Sequence, residues 1–209
     1  MLFKDRVDAG RQLAALLVER EEIARDKESL VVVSILRGGI VVGVEVAKKF
    51  AIPHCAIIVA KIAHPKQSEL AIGAVCEGEY FFDKHVIQAI PQDDIDDQIK
   101  KAEQKITHYK KIYGDRELDV LSKKVLLIDD GVATGATVNV AGAALRKKGA
   151  RAVFLASPVI ALDFDATSFD GVYFLHQEAD FRAISQFYEE FPQVSDAQVK
   201  EIMLGIQEN

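Results

Sequence analysis

The stretch Val125-Leu126-Leu127-Ile128-Asp129-Asp130-Gly131-Val132-Ala133-Thr134-Gly135-Ala136-Thr137 decides how the rest of the chain is read. Four consecutive apolar residues, Val125 to Ile128, predict a strand buried on both faces. Two carboxylates, Asp129 and Asp130, stand where that strand ends. Past the loop a helix pattern begins at once, with Val138, Ala141, Ala144 and Leu145 at helical spacing. A glycine-bearing turn between a buried parallel strand and a helix directs unpaired backbone N–H groups toward an anion. Thr134 and Thr137 add hydroxyl donors. The strand side is therefore negative and the helix side suits a phosphate. A sugar phosphate satisfies both, its hydroxyls donating to the aspartates while its phosphate sits in the loop.

The same pattern occurs earlier. Leu30 to Leu36 is an apolar run with one serine, followed by Arg37-Gly38-Gly39 and a helix from about Ile40 to Phe50. The glycines let the backbone come close to a ligand. The planar fork of Arg37 matches a pyrophosphate. Two strand–glycine–helix units predict a parallel sheet built from βαβ crossovers. Cys55 to Ala60, Ala152 to Ala156 and Gly171 to Leu175 supply further strands, and Gly149 ends the motif helix. Leu30–Leu36, Cys55–Ala60, Val125–Ile128 and Ala152–Ala156 are expected in one sheet, with Arg37 and Asp130 at the same edge.

Between the two units, residues 61–84 are less regular. Glu77-Gly78-Glu79 reads as a turn and Tyr80-Phe81-Phe82 as a returning strand. Asp93 to Tyr113 reads as a long helix whose Ile95, Ile99, Ala102, Ile106, Tyr109 and Tyr113 form one stripe. Asp93, Asp94, Asp96 and Asp97 at its start complement the helix dipole rather than forming a metal site. Asp8 to Arg20 is an amphipathic helix, and Ser195-Asp196 starts a last one running to about Ile206.

The 209 residues, 49% of them hydrophobic, carry a net charge of −6. This fits one α/β domain with a sizeable core and argues against nucleic acid as the main partner. The first residues show no apolar signal region and no run approaches a membrane span, so a cytoplasmic protein with no membrane partner is expected. Cys55 and Cys76 are the only cysteines, and five scattered histidines lack ligand spacing, so neither disulfide nor zinc is expected.

The Val125–Thr137 stretch resembles the phosphoribosyl-pyrophosphate (PRPP) motif of type I phosphoribosyltransferases: an apolar strand, two acidic residues, two mostly apolar residues, then a small-Thr-Gly-x-Thr loop. Gly131 departs from it, most members being aliphatic there. Ala133 stands where hypoxanthine-guanine enzymes carry an aspartate, which makes that subclass less fitting. The resemblance implies one phosphoribosyltransferase-like domain over 1–209, a mostly parallel sheet flanked by helices. Within it, 62–118 would form a flexible loop, hairpin and inserted helix, and 176–209 a C-terminal hood and helix. The 68–74 segment, the long helix and the C-terminal stretch are similar to stand-alone bacterial phosphoribosyltransferase-like proteins whose acceptor the resemblance does not assign.

The activity implied is transfer of the phosphoribosyl group of PRPP to a nitrogenous acceptor, most simply a nucleobase, with release of pyrophosphate. The alternative is a PRPP- or nucleotide-binding regulator with little or no transfer. Asp129, Asp130 and Arg37 would be catalytic. Ala133, Thr134, Gly135, Ala136, Thr137, Gly38, Gly39 and Lys61 would bind PRPP. Phe181, Phe187 and Tyr188 are candidates for stacking on the acceptor. Mg²⁺ would be the cofactor, reached by Asp129 and Asp130 directly or through ribose hydroxyls and water. Partners would be PRPP and a small acceptor, with a second copy of the chain a candidate for a homodimer.

Overall fold

A computed structural model describes residues 2–115 and 118–205. The chain runs α1 (Arg6–Val18), α2 (Glu21–Ala24), β1 (Leu30–Leu36), α3 (Gly39–Phe50), β2 (His54–Ile58), β3 (Ala60–His64), β4 (Gln67–Cys76) and β5 (Glu79–Phe82). It continues with α4 (Lys84–Ile87), α5 (Gln92–Tyr113), β6 (Lys124–Ile128), α6 (Ala136–Lys147), β7 (Ala152–Ala161), β8 (Gly171–Glu178) and α7 (Asp196–Gly205). Five strands form one sheet in the order β2-β1-β6-β7-β8, every neighbouring pair parallel. The expected end of the last helix, Ile206, lies outside the described residues.

Alternation along the strands explains why their apolar runs are unbroken. Val31, Val33 and Ile35 of β1 point to a core shared with Val138, Ala141 and Leu145 of α6. Leu30 and Val32 point the other way, to Leu13 and Leu17 of α1 and Val42, Val46 and Phe50 of α3. Both faces are covered, so side chains of both parities must be apolar. From β1 the chain crosses outward to β2, whereas from β6 it crosses to β7 on the opposite side. The strand order thus reverses between β1 and β6, and such a switch point leaves a crevice at the carboxyl ends of the two strands.

The second predicted strand needs correction. Cys55 to Ala60 does not stay in one sheet. The parallel ladder ends at Leu36 opposite Ile58. Ala60 already pairs with Val75 in a separate antiparallel sheet, β3-β4-β5. Both sheets demand apolar residues here, so the change of sheet at Val59 leaves no mark in the hydrophobic pattern. The segment read as an irregular loop with a hairpin is this three-stranded sheet, held between α5 and α6. Ile62, Ile72 and Val75 face Ile95, Ala102 and Ile106 of α5, while Ala74 and Cys76 join the core under α6. Its turn is tethered by charge: Glu77 pairs with Lys110 at 3.2 Å and Lys148 at 3.1 Å, and Glu79 pairs with Lys147. The stripe of α5 packs on this domain, with Ile95, Ala102, Ile106 and Tyr113 buried.

The strand expected at Ala152–Ala156 extends to Ala161, past Pro158. Its upper half pairs with β8 and bridges back to the motif, since the N–H of Val132 donates to Val159 O (2.9 Å) and that of Ala161 to Val132 O (2.8 Å). Among the described residues, no helix is long and apolar enough to cross a membrane.

Candidate active site

The carboxyl ends of β1 and β6 bring the two predicted motifs together. An added Cβ on Gly38 would lie 1.9 Å from Oδ2 of Asp130, and one on Gly39 would lie 2.7 Å from Ile128 O. Glycine at both positions is what lets the Arg37-Gly38-Gly39 turn seat against the acidic pair. The Leu36–Arg37 peptide bond is cis. Arg37 and Asp130 share one edge of the sheet, as expected.

Asp129 and Asp130 are 8% and 6% exposed, unusually buried for adjacent carboxylates. The N–H of Asp130 donates to Oδ1 of Asp129 at 2.9 Å. Burial, with the neighbouring charge of Asp130 next in weight, holds the Asp129 carboxyl well above the usual carboxylate range; the charge of Lys61 partly opposes this. Lys61 itself is exposed on β3. Asp130 is clasped from the far side. Arg6 donates from Nε to its Oδ2 at 2.6 Å, and the Tyr188 hydroxyl donates to its carbonyl oxygen at 2.6 Å.

Beyond the aspartates, Ala133 and Thr134 are exposed, and Gly135 turns the chain into α6 with φ +79°. Among the described residues, the amides of Ala133, Thr134 and Gly135 have no protein acceptor. They stand with the open first turn of a helix, an arrangement suited to a phosphate. Gly135 is backed by Phe164, whose ring an added Cβ would meet at 2.5 Å. Gly131, the departure from the motif, is filled from outside: a Cβ there would lie 2.6 Å from Ile184 Cγ2.

Arg37 is not free in the protein. Its Nη1 donates to Oδ1 of Asp196 at 3.3 Å, and the same oxygen accepts from the Tyr113 hydroxyl. The start of α7 therefore places a carboxylate on the guanidinium that was expected to meet a pyrophosphate.

The aromatic candidates are corrected. Tyr188 is 1% exposed and Phe187 5%, both in a closed cluster with Phe3 and Val159. Tyr188 packs on Phe3 and Phe191, at centroid distances of 5.3 and 4.9 Å, and Phe187 packs on Phe181 at 4.9 Å. Rings whose faces are already covered offer no platform to an acceptor. Phe181 alone of the three stays partly exposed. His64, at the end of β3, accepts a hydrogen bond from the N–H of Lys66. Arg6, which carries no sequence signal of its own, is the cation in direct contact with the acidic pair among the described residues. Its position 124 residues upstream gave no signal, because the contact depends on how the two ends of the chain meet.

A sequence model of the phosphoribosyl transferase domain matches residues 4–165. Proteins of Mycobacterium tuberculosis provisionally named as phosphoribosyl transferases are 34% identical over 208 residues, 95% of this chain and 45% of theirs. The chain thus spans about half the length of the curated relatives it matches. The crystal structure of TT1426 from Thermus thermophilus superposes with a TM-score of 0.75 at 29% identity, covering 98% of this chain and 99% of that one. The purine phosphoribosyltransferase of Pyrococcus horikoshii shares the fold, with a TM-score of 0.50 at 18% identity over 90% and 88% of the chains. The chain belongs to the phosphoribosyl transferase domain family and has its type I fold.

Proposed function

We propose that the protein transfers the phosphoribosyl group of PRPP to a nitrogenous acceptor, most simply a nucleobase, and releases pyrophosphate. The observation that carries this reading is the contact between the two motifs: the Arg37-Gly38-Gly39 turn rests directly on Asp130, at the strand-order reversal. One extended ligand can then touch three chemistries in sequence. The amides of Ala133 to Thr137 take the 5-phosphate, the aspartates take ribose hydroxyls, and Arg37 takes pyrophosphate. In the transfer, the bond from C1 of ribose to pyrophosphate oxygen breaks and a bond to nitrogen forms. Positive charge that develops on the sugar ring is favoured by two fixed carboxylates in a site of low exposure. An acceptor entering from the open side would meet Phe181 rather than Phe187 or Tyr188.

The donor set fits Mg²⁺ carried in with the substrate. Mg²⁺ is commonly held by one or two carboxylates together with phosphate oxygens and water. Asp129 and Asp130 supply two carboxylates, and among the described residues no group of three or more potential ligands surrounds them. Asp130 already holds a guanidinium on Oδ2, so Oδ1 is the oxygen it could offer to the ion, directly or through water or a ribose hydroxyl. When bound, the ion would neutralise charge on the departing pyrophosphate.

The engagement of Asp130 by Arg6 and of Arg37 by Asp196 favours a second reading, a regulator that binds PRPP or a nucleotide with little transfer. Pyrophosphate release separates the two. The chain is incubated with PRPP, Mg²⁺ and a panel of purine, pyrimidine and nicotinate-type acceptors. Release that depends on one acceptor, and that Asp129→Asn with Asp130→Asn abolishes while phosphate binding persists, is the expected outcome. Binding of PRPP without release by any acceptor would favour the regulator. Absence of PRPP binding would remove both.

A further inference from the structure

The segment before α1 and residues 187–192 meet beside the acidic pair. Residues 2–4 lie parallel to 187–190: the N–H of Leu2 donates to Phe187 O at 2.9 Å, and the N–H of Glu190 to Lys4 O at 2.8 Å. This ribbon sets the first residue of α1, Arg6, beside Asp130. Arg6 is 8% exposed, far below what a surface arginine shows. Its guanidinium is fixed three ways. Nε donates to Asp130 Oδ2 (2.6 Å), Nη1 donates to Pro192 O (2.7 Å), and the Phe191 ring lies 3.6 Å below Cζ. A planar fork held at one nitrogen by a carbonyl and at another by a carboxylate has no freedom left to serve as a mobile ligand-binding arm.

Asp130 is equally constrained. Its carbonyl takes the Tyr188 hydroxyl, its N–H is spent on Asp129, and Gly38 closes the space beside Oδ2. With Oδ2 on Arg6, Oδ1 is the oxygen left for a ligand. We propose that Arg6 is the positioning residue of Asp130: it fixes the carboxylate through Oδ2 so that Oδ1 accepts a hydroxyl of the sugar. The assignment rests on the sugar-phosphate reading above and deepens it. Recognition of the ribose, as distinct from the phosphate, then depends on the way residues 2–6 and 187–192 close over the sheet. Two adjacent buried carboxylates repel each other, and one guanidinium in direct contact keeps the second in place.

The test separates sugar from phosphate. Binding of ribose 5-phosphate and of inorganic phosphate is measured by calorimetry on wild type, Arg6→Gln and Arg6→Lys, with folding of each checked by thermal unfolding. Arg6→Gln should weaken ribose 5-phosphate at least tenfold and leave inorganic phosphate within twofold. Arg6→Lys keeps the charge but cannot hold Oδ2 and the Pro192 carbonyl together, so it should fall between. If Arg6→Gln does not fold, Arg6→Lys carries the test, with a severalfold loss confined to ribose 5-phosphate. Equal losses for the two ligands, or none, in a folded variant would overturn the assignment. A wild-type protein that does not bind ribose 5-phosphate would remove the sugar-phosphate reading itself; a wild type that binds it, with both variants unaffected, would remove the role of Arg6 alone.

Discussion

Gly135 carries two separate demands. Its φ of +79° lies where only glycine rests without cost, and Phe164 occupies the space a Cβ would need. A left-handed conformation costs an ordinary residue about 1–2 kcal/mol, and a β-branched one more. Gly135→Val should therefore lower stability by at least about 2 kcal/mol and weaken inorganic phosphate binding at least tenfold, by unfolding and calorimetry respectively. Phe164→Ala in the Gly135→Ala background should recover part of the affinity, since it removes the collision but not the backbone cost. Recovery of none would show that Phe164 is not the obstacle. A different contest surrounds Arg37. Asp196, its carboxyl held below the usual range first by the Tyr113 hydroxyl and then by Arg37, occupies the guanidinium that pyrophosphate would use. Asp196→Asn keeps the volume and removes the competing charge. Pyrophosphate binding should tighten severalfold, and unchanged or weaker binding would mean Arg37 does not receive that group.

Elements with one strong pattern were legible, and elements defined by contacts were not. The four-three stripe of α5 and the strand–glycine–helix units lie within a few residues of their predicted limits because each pattern is local. The break between β2 and β3 was hidden, since His54–Ile58 and Ala60–His64 both bury one face and no glycine or proline separates them. Pro158 reads as a stop, yet β7 passes it because the ladder resumes at Val159 opposite His176. The stripe of α5 is what holds the small sheet from outside. Ile106, 8% exposed, packs with Ile62 and Ile72. Ile106→Ala should cost about 2–4 kcal/mol, read from urea denaturation. Phosphate binding in the folded variant should be unchanged, because α5 contributes nothing to the Ala133–Thr137 loop. A loss under about 1 kcal/mol would mean that the helix does not share in holding the sheet.

The sheet and both glycine turns are legible in the sequence, but the way the rest of the chain closes around them is not. Arg6, Tyr188, Ile184 and Asp196 come from the two ends of the chain, and each acts on a motif residue far away in sequence. No periodicity links such positions. The same limit applies to the packing of α3 on the sheet. Gly43 faces β1 and β2, and an added Cβ would lie 1.8 Å from Ser34 Oγ and 3.1 Å from His54 Nε2. Into this space fit Ser34, fully buried, and His54, 6% exposed, with Oγ and Nε2 2.8 Å apart. Nδ1 of His54 has no partner among the described residues. Burial pushes the imidazole down from its ordinary 6.5 to about 4. The fold therefore holds it neutral, while the unfolded chain takes up a proton near pH 6.5. More protons on the unfolded state mean that stability falls as pH falls. The contribution is complete above pH 6.5 and is lost progressively down to about pH 4. At about 1.4 kcal/mol per unit, the full loss is about 3 kcal/mol. Urea denaturation between about pH 7 and pH 5 should show wild type losing stability faster than His54→Asn, whose amide does not titrate. Carboxylates contribute equally to both proteins over this range, so the difference between the slopes isolates the imidazole. Coincident slopes would mean that His54 takes up its proton in the fold as readily as in the unfolded chain, and that water reaches the space that Gly43 leaves beneath α3.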